Sequence, residues 1–246
     1  MNYTEENRRN SASCAEKRSV MIRVTVWNEY LHEKEEPVRH IYPNGIHGCI
    51  KEFLQTDEEL VIKTATFEMP EHGLTEEVLK QTDVLIFWSH MRQNEFSDEV
   101  AARVCSHVRH GMGLVALHSA HFSKIMKGLL GTSMTLRWKH GESERVFCTA
   151  PYHPIAEGIP ERFDIPKEEM YGEYFDIPKP DDVIFTDGFH AVRFSEAAAH
   201  SIAVMEKSFI SSRVMRNIQF IIFQKYKRLL KMQCTGVSQV CERQVR

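Results

Sequence analysis

The chain has 246 residues, with 31 Lys and Arg against 34 Asp and Glu, a formal charge of -3 and 42% hydrophobic residues. This is the composition of a globular protein large enough for one large domain or two small ones, and it excludes a disordered tail, a collagen or a disulfide scaffold. No apolar run approaches the roughly 20 residues of a membrane span, and the polar start MNYTEENRRNSASCAEKRS is not a signal peptide. Six Cys without a CxxC pair read as reduced thiols of a cytoplasmic protein. The 13 His are a high count, and imidazoles often carry catalysis or metals.

Taken in chain order, Met21 to Asn28 (MIRVTVWN) reads as a buried strand. Tyr42-Pro43-Asn44-Gly45 punctuates, and Ile46 to Leu54 follows as a helix. Val61 to Phe67 alternates like a strand. Leu74 to Lys80 is helical, with Thr75 as N-cap and Glu76 and Glu77 suited to the first turn. Asp83 to Trp88 (DVLIFW) is a second apolar strand. Ser97 caps a helix that runs to about His110, and Gly111-Met112-Gly113 breaks it. Leu114 to His118 is a third apolar strand, and Phe122 to Leu130 a helix. Strands alternating with helices predict βαβ units and a mainly parallel sheet. Such sheets bind ligands beyond the carboxyl ends of their strands. Arg137 to Thr186 differs: it reads as a surface-rich excursion with short Pro-bounded segments and a closing strand, Val183 to Phe185.

The ends of the strands carry the candidate chemistry. His90 and His118 end adjacent strands, His121 follows closely, and His47 opens the first helix. Imidazoles gathered at one sheet edge suit acid and base work or a divalent metal, for which His90 and His118 are the candidates. A local hydrogen bond is the plainer role for any one of them, and no HExxH spacing supports a metal. Asn28 and Glu29 lie just past the first strand, Glu29 as a base or sugar-hydroxyl acceptor, or as a solvated turn. Glu168, Glu169, Tyr171, Gly172 and Glu173 combine carboxylates with an aromatic face, as sugar sites do and as charged surface loops also do. Trp138 reads as a core residue before it reads as a sugar platform. Arg137, Lys139 and His140 are an anion site or a basic turn. Ser119 reads first as a helix cap, because no GxSxG elbow surrounds it. No GxGxxG or Walker loop indicates a nucleotide cofactor.

VTVWNEY, YPNGIHG, LIFWSH, GMGLVALHSAHFSKIMKGLLGTSMTLRW, HPIAEGIP and EEMYGEYFDIP occur in this order. Together they resemble the ThuA-like (trehalose utilisation) family, from Met21 to about Thr186. The resemblance implies an α/β fold of the flavodoxin-like, class I glutamine amidotransferase-like kind, with helices on both faces of the sheet. It also implies a role in bacterial carbohydrate utilisation. Amidotransferases of this fold place a nucleophilic Cys at the strand-to-helix turn, where this chain has His118 and Ser119, so a Cys glutaminase is not expected. Two readings stay open. One is an isomerase or hydrolase of a sugar or keto-sugar, with His90, His118, His121 and Glu29 catalytic and Asn28, His47, Glu169, Tyr171 and Glu173 binding substrate. The other is a non-catalytic sugar-binding or regulatory protein. The expected partner is a small sugar, with neither nucleic acid nor membrane, and a homo-oligomer is left open. No cofactor is clearly indicated beyond the metal option.

The charge is unevenly spread. Residues 187–246 hold 10 basic and 4 acidic residues, and the preceding 186 hold 21 and 30. The family's closing motifs are missing from this basic part, yet codons read one base out of register permit them in order, GEVF-like, IFYF-like and GHE-like. A frameshift at or just before Asp187 is therefore expected, leaving 21–186 as the family domain and 187–246 as an out-of-frame tail. Resequencing tests it: an intact frame there removes the expectation. Losing the in-frame end would leave a poorly stable chain with exposed apolar surface. Lys17-Arg18-Ser19 can be encoded with AAGGAG just ahead of Met21, so residues 1–20 read as a translated leader or a disordered extension.

Overall fold

The computed structural model describes residues 21–36, 38–117, 119–153, 156, 159–172, 175–180, 182–189 and 200–204. Residues 1–20 and most of 187–246 lie outside these, as does the predicted leader.

Four strands build the first sheet: β1 (Ile22–Asn28), β2 (Leu60–Thr66), β3 (Val84–Trp88) and β4 (Gly113–Leu117). They pair in the order β2-β1-β3-β4, all parallel. The chain leaves β1 toward β2 on one side, then returns to add β3 on the other. That reversal makes the gap between the ends of β1 and β3 a topological switch point, where open α/β sheets bind ligands.

Alternation along the strands sends side chains to two cores. On one face Val24, Val26, Leu60, Val84 and Ile86 pack with Tyr42, Ile46, Ile50 and Leu54. These belong to α2 (Gly45–Leu54) and to the chain just after α1 (Val38–Ile41). On the other face Trp27, Ala65, Leu85 and Phe87 meet α3 (Glu76–Lys80), α4 (Asp98–Arg109) and α5 (Lys124–Leu130) through Leu79, Val100, Val104 and Ile125. Trp27 stacks on Phe87 with centroids 4.4 Å apart, and Phe96 meets both rings edge-on. Helices thus cover both faces, as an α/β fold of the flavodoxin-like kind requires.

Predicted caps are in place at α3, where Thr75 accepts from Val78 N–H, and at α4, where Ser97 accepts from Val100 N–H. The predicted helix from Phe122 is shorter: residues Ala120–Phe122 form a 3-10 turn, and α5 starts only at Lys124.

The second half departs further from its reading as an excursion of short segments. It forms an antiparallel sheet of β5 (Arg137–Cys148), β6 (Arg162–Gly172), β7 (Asp182–Phe189) and β8 (His200–Val204), in the order β6-β5-β7-β8. Its core is small: Val146, Ala150, Ala156, Ile184 and Phe185. Arg137 is on a strand, not a turn, and Trp138 is 59% exposed on β5, so it is not a core residue.

Candidate active site at the sheet edge

The site is built from the residues that follow β1, β3 and β4. Asn28 and Glu29 are 0% and 1% exposed, so Glu29 is no solvated turn residue. A buried polar side chain needs partners, and these have them. Glu29 accepts from His90 N–H at 2.9 Å, from Met91 N–H at 2.9 Å and from the Ser89 hydroxyl at 3.3 Å. Its two oxygens therefore hold the 89–91 loop in place. Glu29 thus positions the loop that carries His90.

The loop it holds presents His90. His90 Nδ1 lies 3.0 Å from Ser119 Oγ, a contact that joins the ends of β3 and β4. Ser119 is 8% exposed; its N–H donates to Ser89 C=O at 2.7 Å, and its own C=O accepts from Gln93 Nε2 at 2.9 Å. Ser119 makes no side-chain cap; the cap of α5 is Ser123, whose hydroxyl accepts from Met126 N–H. The capping reading of Ser119 is thus replaced by a pairing with His90. Its backbone (φ -109°, ψ 48°) is not the strained elbow of a nucleophilic serine.

A second cluster sits beside the first. Asn28 Nδ2 donates to Glu33 and contacts His47 Nδ1 at 3.1 Å, while Asn28 Oδ1 accepts from Tyr30 N–H at 3.0 Å. Glu33 is 2% exposed and also accepts from Ile46 N–H, in the first turn of α2. Tyr30 stands at φ +53°, in the left-handed region that favours glycine, and its ring meets His47 edge-on at 4.9 Å. His32 joins the clusters, with ring centroids 5.0 Å from His90 and 6.0 Å from Trp88.

His121, in the 3-10 turn, packs its ring on Phe122 and meets Phe175 edge-on at 5.8 Å. Phe175 follows β6, so the acidic-aromatic stretch ends at the parallel sheet's edge. Glu169 and Tyr171 lie in β6, and Tyr171 pairs with Trp138 across the ladder. His118 and Glu173 lie outside the described residues. Among the described residues, no group of three or more His, Cys, Asp and Glu is arranged to hold a metal ion.

Sequence reasoning does not single out Glu33, His32, Tyr30 or Gln93. Glu33 and His32 sit in LHEKEE, whose charge reads as a solvated run. The only available signal was proximity to Asn28, five residues before Glu33.

The described cysteines are elsewhere: Cys49 in α2, Cys105 in α4 and Cys148 at the end of β5. Burial pushes the Cys49 and Cys105 thiols up, away from the thiolate that nucleophilic catalysis needs.

A parallel sheet in the order 2-1-3-4, with buried polar side chains at its switch point, defines the flavodoxin-like α/β class. A profile described as trehalose utilisation, ThuA, matches residues 23–216, and the chain belongs to that family. Among solved structures it is similar to a ThuA-like protein from Parabacteroides merdae at 10% identity and a TM-score of 0.50, covering 88% of this chain and 90% of that one. It is also similar to a ThuA-like protein from Bacteroides uniformis, at 16% identity and a TM-score of 0.49, over 72% and 71% of the two chains. At 10% identity the likeness to the Parabacteroides merdae protein concerns fold alone. A search of curated proteins finds no match.

Proposed function

We propose that the chain binds a sugar or keto-sugar at the switch point between β1 and β3 and moves a proton on it with His90. The carrying observation is the His90 Nδ1 to Ser119 Oγ contact, held over the sheet edge by a buried Glu29 that accepts from the His90 and Met91 backbone. An imidazole fixed by its neighbours and half-buried is built for proton transfer, and a site rich in hydroxyl, amide and imidazole groups suits a polyol. This favours isomerisation or hydrolysis by acid–base chemistry over thiol-based acyl transfer, since the turn carries Ser119 and no Cys. Trehalose or a related sugar is the substrate class that the family's description suggests. In this reading Glu169 and Tyr171 of β6 help to hold substrate, with Phe175 marking where the chain after β6 reaches the edge.

The second reading, a sugar-binding or regulatory protein without turnover, is favoured by the absence of Cys at the β4 turn, where Ser119 stands. A thermal-shift screen with neutral and oxidised mono- and disaccharides, followed by product analysis, separates the two. Binding with turnover that His90→Ala abolishes by 100-fold or more, on the order expected of a general acid or base, supports the first. Binding that His90→Ala weakens, without turnover, supports the second. Binding unaffected by both His90→Ala and Asn28→Ala moves the site elsewhere and ends both.

A further inference from the structure

We propose that Asn28 holds His47 as a neutral imidazole with its proton on Nε2, so that His47 meets a ligand as a hydrogen-bond donor and not as a base. The argument assigns each atom the one role it can have. Asn28 Oδ1 accepts from Tyr30 N–H, and a backbone N–H only donates, so this atom is the amide oxygen. Nδ2 is then the amino group, with two protons. One goes to Glu33 Oε1, which also takes the Ile46 N–H at 2.9 Å and is therefore an acceptor. The other faces His47 Nδ1 at 3.1 Å. An amide NH2 cannot accept, so Nδ1 must offer its lone pair, and the ring proton sits on Nε2. Protonating the ring would set N–H against N–H.

The surroundings hold this arrangement. A Cβ on Gly45 would come within 2.5 Å of His47 Cε1, 2.7 Å of Nδ1 and 2.9 Å of the Tyr30 ring. Gly45, at φ +73°, is thus the space in which the imidazole lies, with Tyr30 against it on another side. Two charged groups face the cluster: Glu33 from the 32–34 turn, and Lys34, whose ammonium stands over the Tyr30 ring at 5.7 Å. Burial pushes the His47 imidazole below the usual histidine range, and the Glu33 charge opposes it without reversing it. Glu33 Oε2 is buried and makes no hydrogen bond.

A neutral N–H donor matches an oxygen acceptor, a carbonyl or hydroxyl, and is strongest toward a carbonyl oxygen gaining negative charge. The identity of that acceptor as a keto-sugar rests on the reading above; the tautomer does not.

The test is long-range 1H–15N correlation on the full chain labelled with 15N-histidine, without any sugar, His47 being assigned by the signal lost in His47→Gln. The expected result is an Nε2–H tautomer that stays neutral below the ordinary imidazole range, centred near about 6.5. In Asn28→Asp the carboxylate demands Nδ1–H, so the tautomer inverts and the titration rises by about one pH unit or more. A proton on Nδ1 in the unaltered chain, or imidazolium formation in the ordinary range, overturns the proposal. The unaltered chain decides alone should Asn28→Asp fail to fold. With no sugar present, a failure of the sugar reading leaves this result standing.

Discussion

Glu29 accepts hydrogen bonds from one hydroxyl and two backbone N–H groups, and removing it takes the acceptor from the buried Ser89 hydroxyl and from the part-buried His90 and Met91 N–H groups. Glu29→Ala is expected to lower stability by about 3 kcal/mol, measured by urea unfolding. Glu29→Gln keeps one oxygen and is expected to lose less. A Glu29 that served only as a base would give no such ordering. At this scale the sequence was partly legible. Asn28, Glu29 and His90 lie at one edge because residues at or just past strand ends converge in a parallel sheet. Their roles were not legible, because a role depends on which atom faces which. The sequence reads Glu29 as a base, a sugar-hydroxyl acceptor or a turn residue, and its oxygens hold the 89–91 loop; it reads Ser119 first as a cap, and the Ser119 hydroxyl lies beside His90. Ser123, four residues on, does the capping. Glu33 was hidden because burial of a glutamate inside a charged run has no local signature.

Elements are stabilised by a few identifiable contacts. Arg23 on β1 holds Asp83, just before β3, through Nε at 2.9 Å, Nη2 at 2.5 Å and its backbone N–H at 2.8 Å. Burial pushes the Asp83 carboxyl up, but the Arg23 hydrogen bonds and charge outweigh it and hold it below the usual aspartate range. A depressed folded value means stabilisation that is present above the unfolded value of about 3.9 and lost as pH falls through the folded one. Asp83→Asn is therefore expected to flatten the loss of stability below about pH 4, read from denaturant midpoints against pH. Ser97→Ala, which removes the cap of α4, is expected to cost about 1 kcal/mol. Phe87→Ala, which opens the stack with Trp27, is expected to cost about 3–5 kcal/mol, by the same unfolding measurement. The βαβ elements were readable because apolar runs such as VLIFW and caps such as Thr75 and Ser97 are local signals.

For the whole molecule, the parallel sheet with two helical faces was legible and the second sheet was not. β5 and β6 are 12 and 11 residues long, yet they carry Pro166 and many charged residues. Alternation is weak there, and register shifts interrupt the pairing between Lys139 and Glu144. Such strands are specified by their partners more than by their own pattern. The family's description of trehalose utilisation likewise gives the molecule a context and leaves its chemistry to the site. Among the described residues no helix is long and apolar enough to cross a membrane.

Phe175 and His121 touch edge-on, one ring supplied by the chain leaving the antiparallel sheet and the other by the turn after the parallel one. Under the proposed function, proton transfer belongs to the edge of the parallel sheet, and this contact brings to it a sheet with a small core and irregular register. Phe175→Ala is accordingly expected to change the ranking of sugars in a binding screen while leaving the His47 tautomer as it was; an unchanged ranking would remove the second sheet from the site.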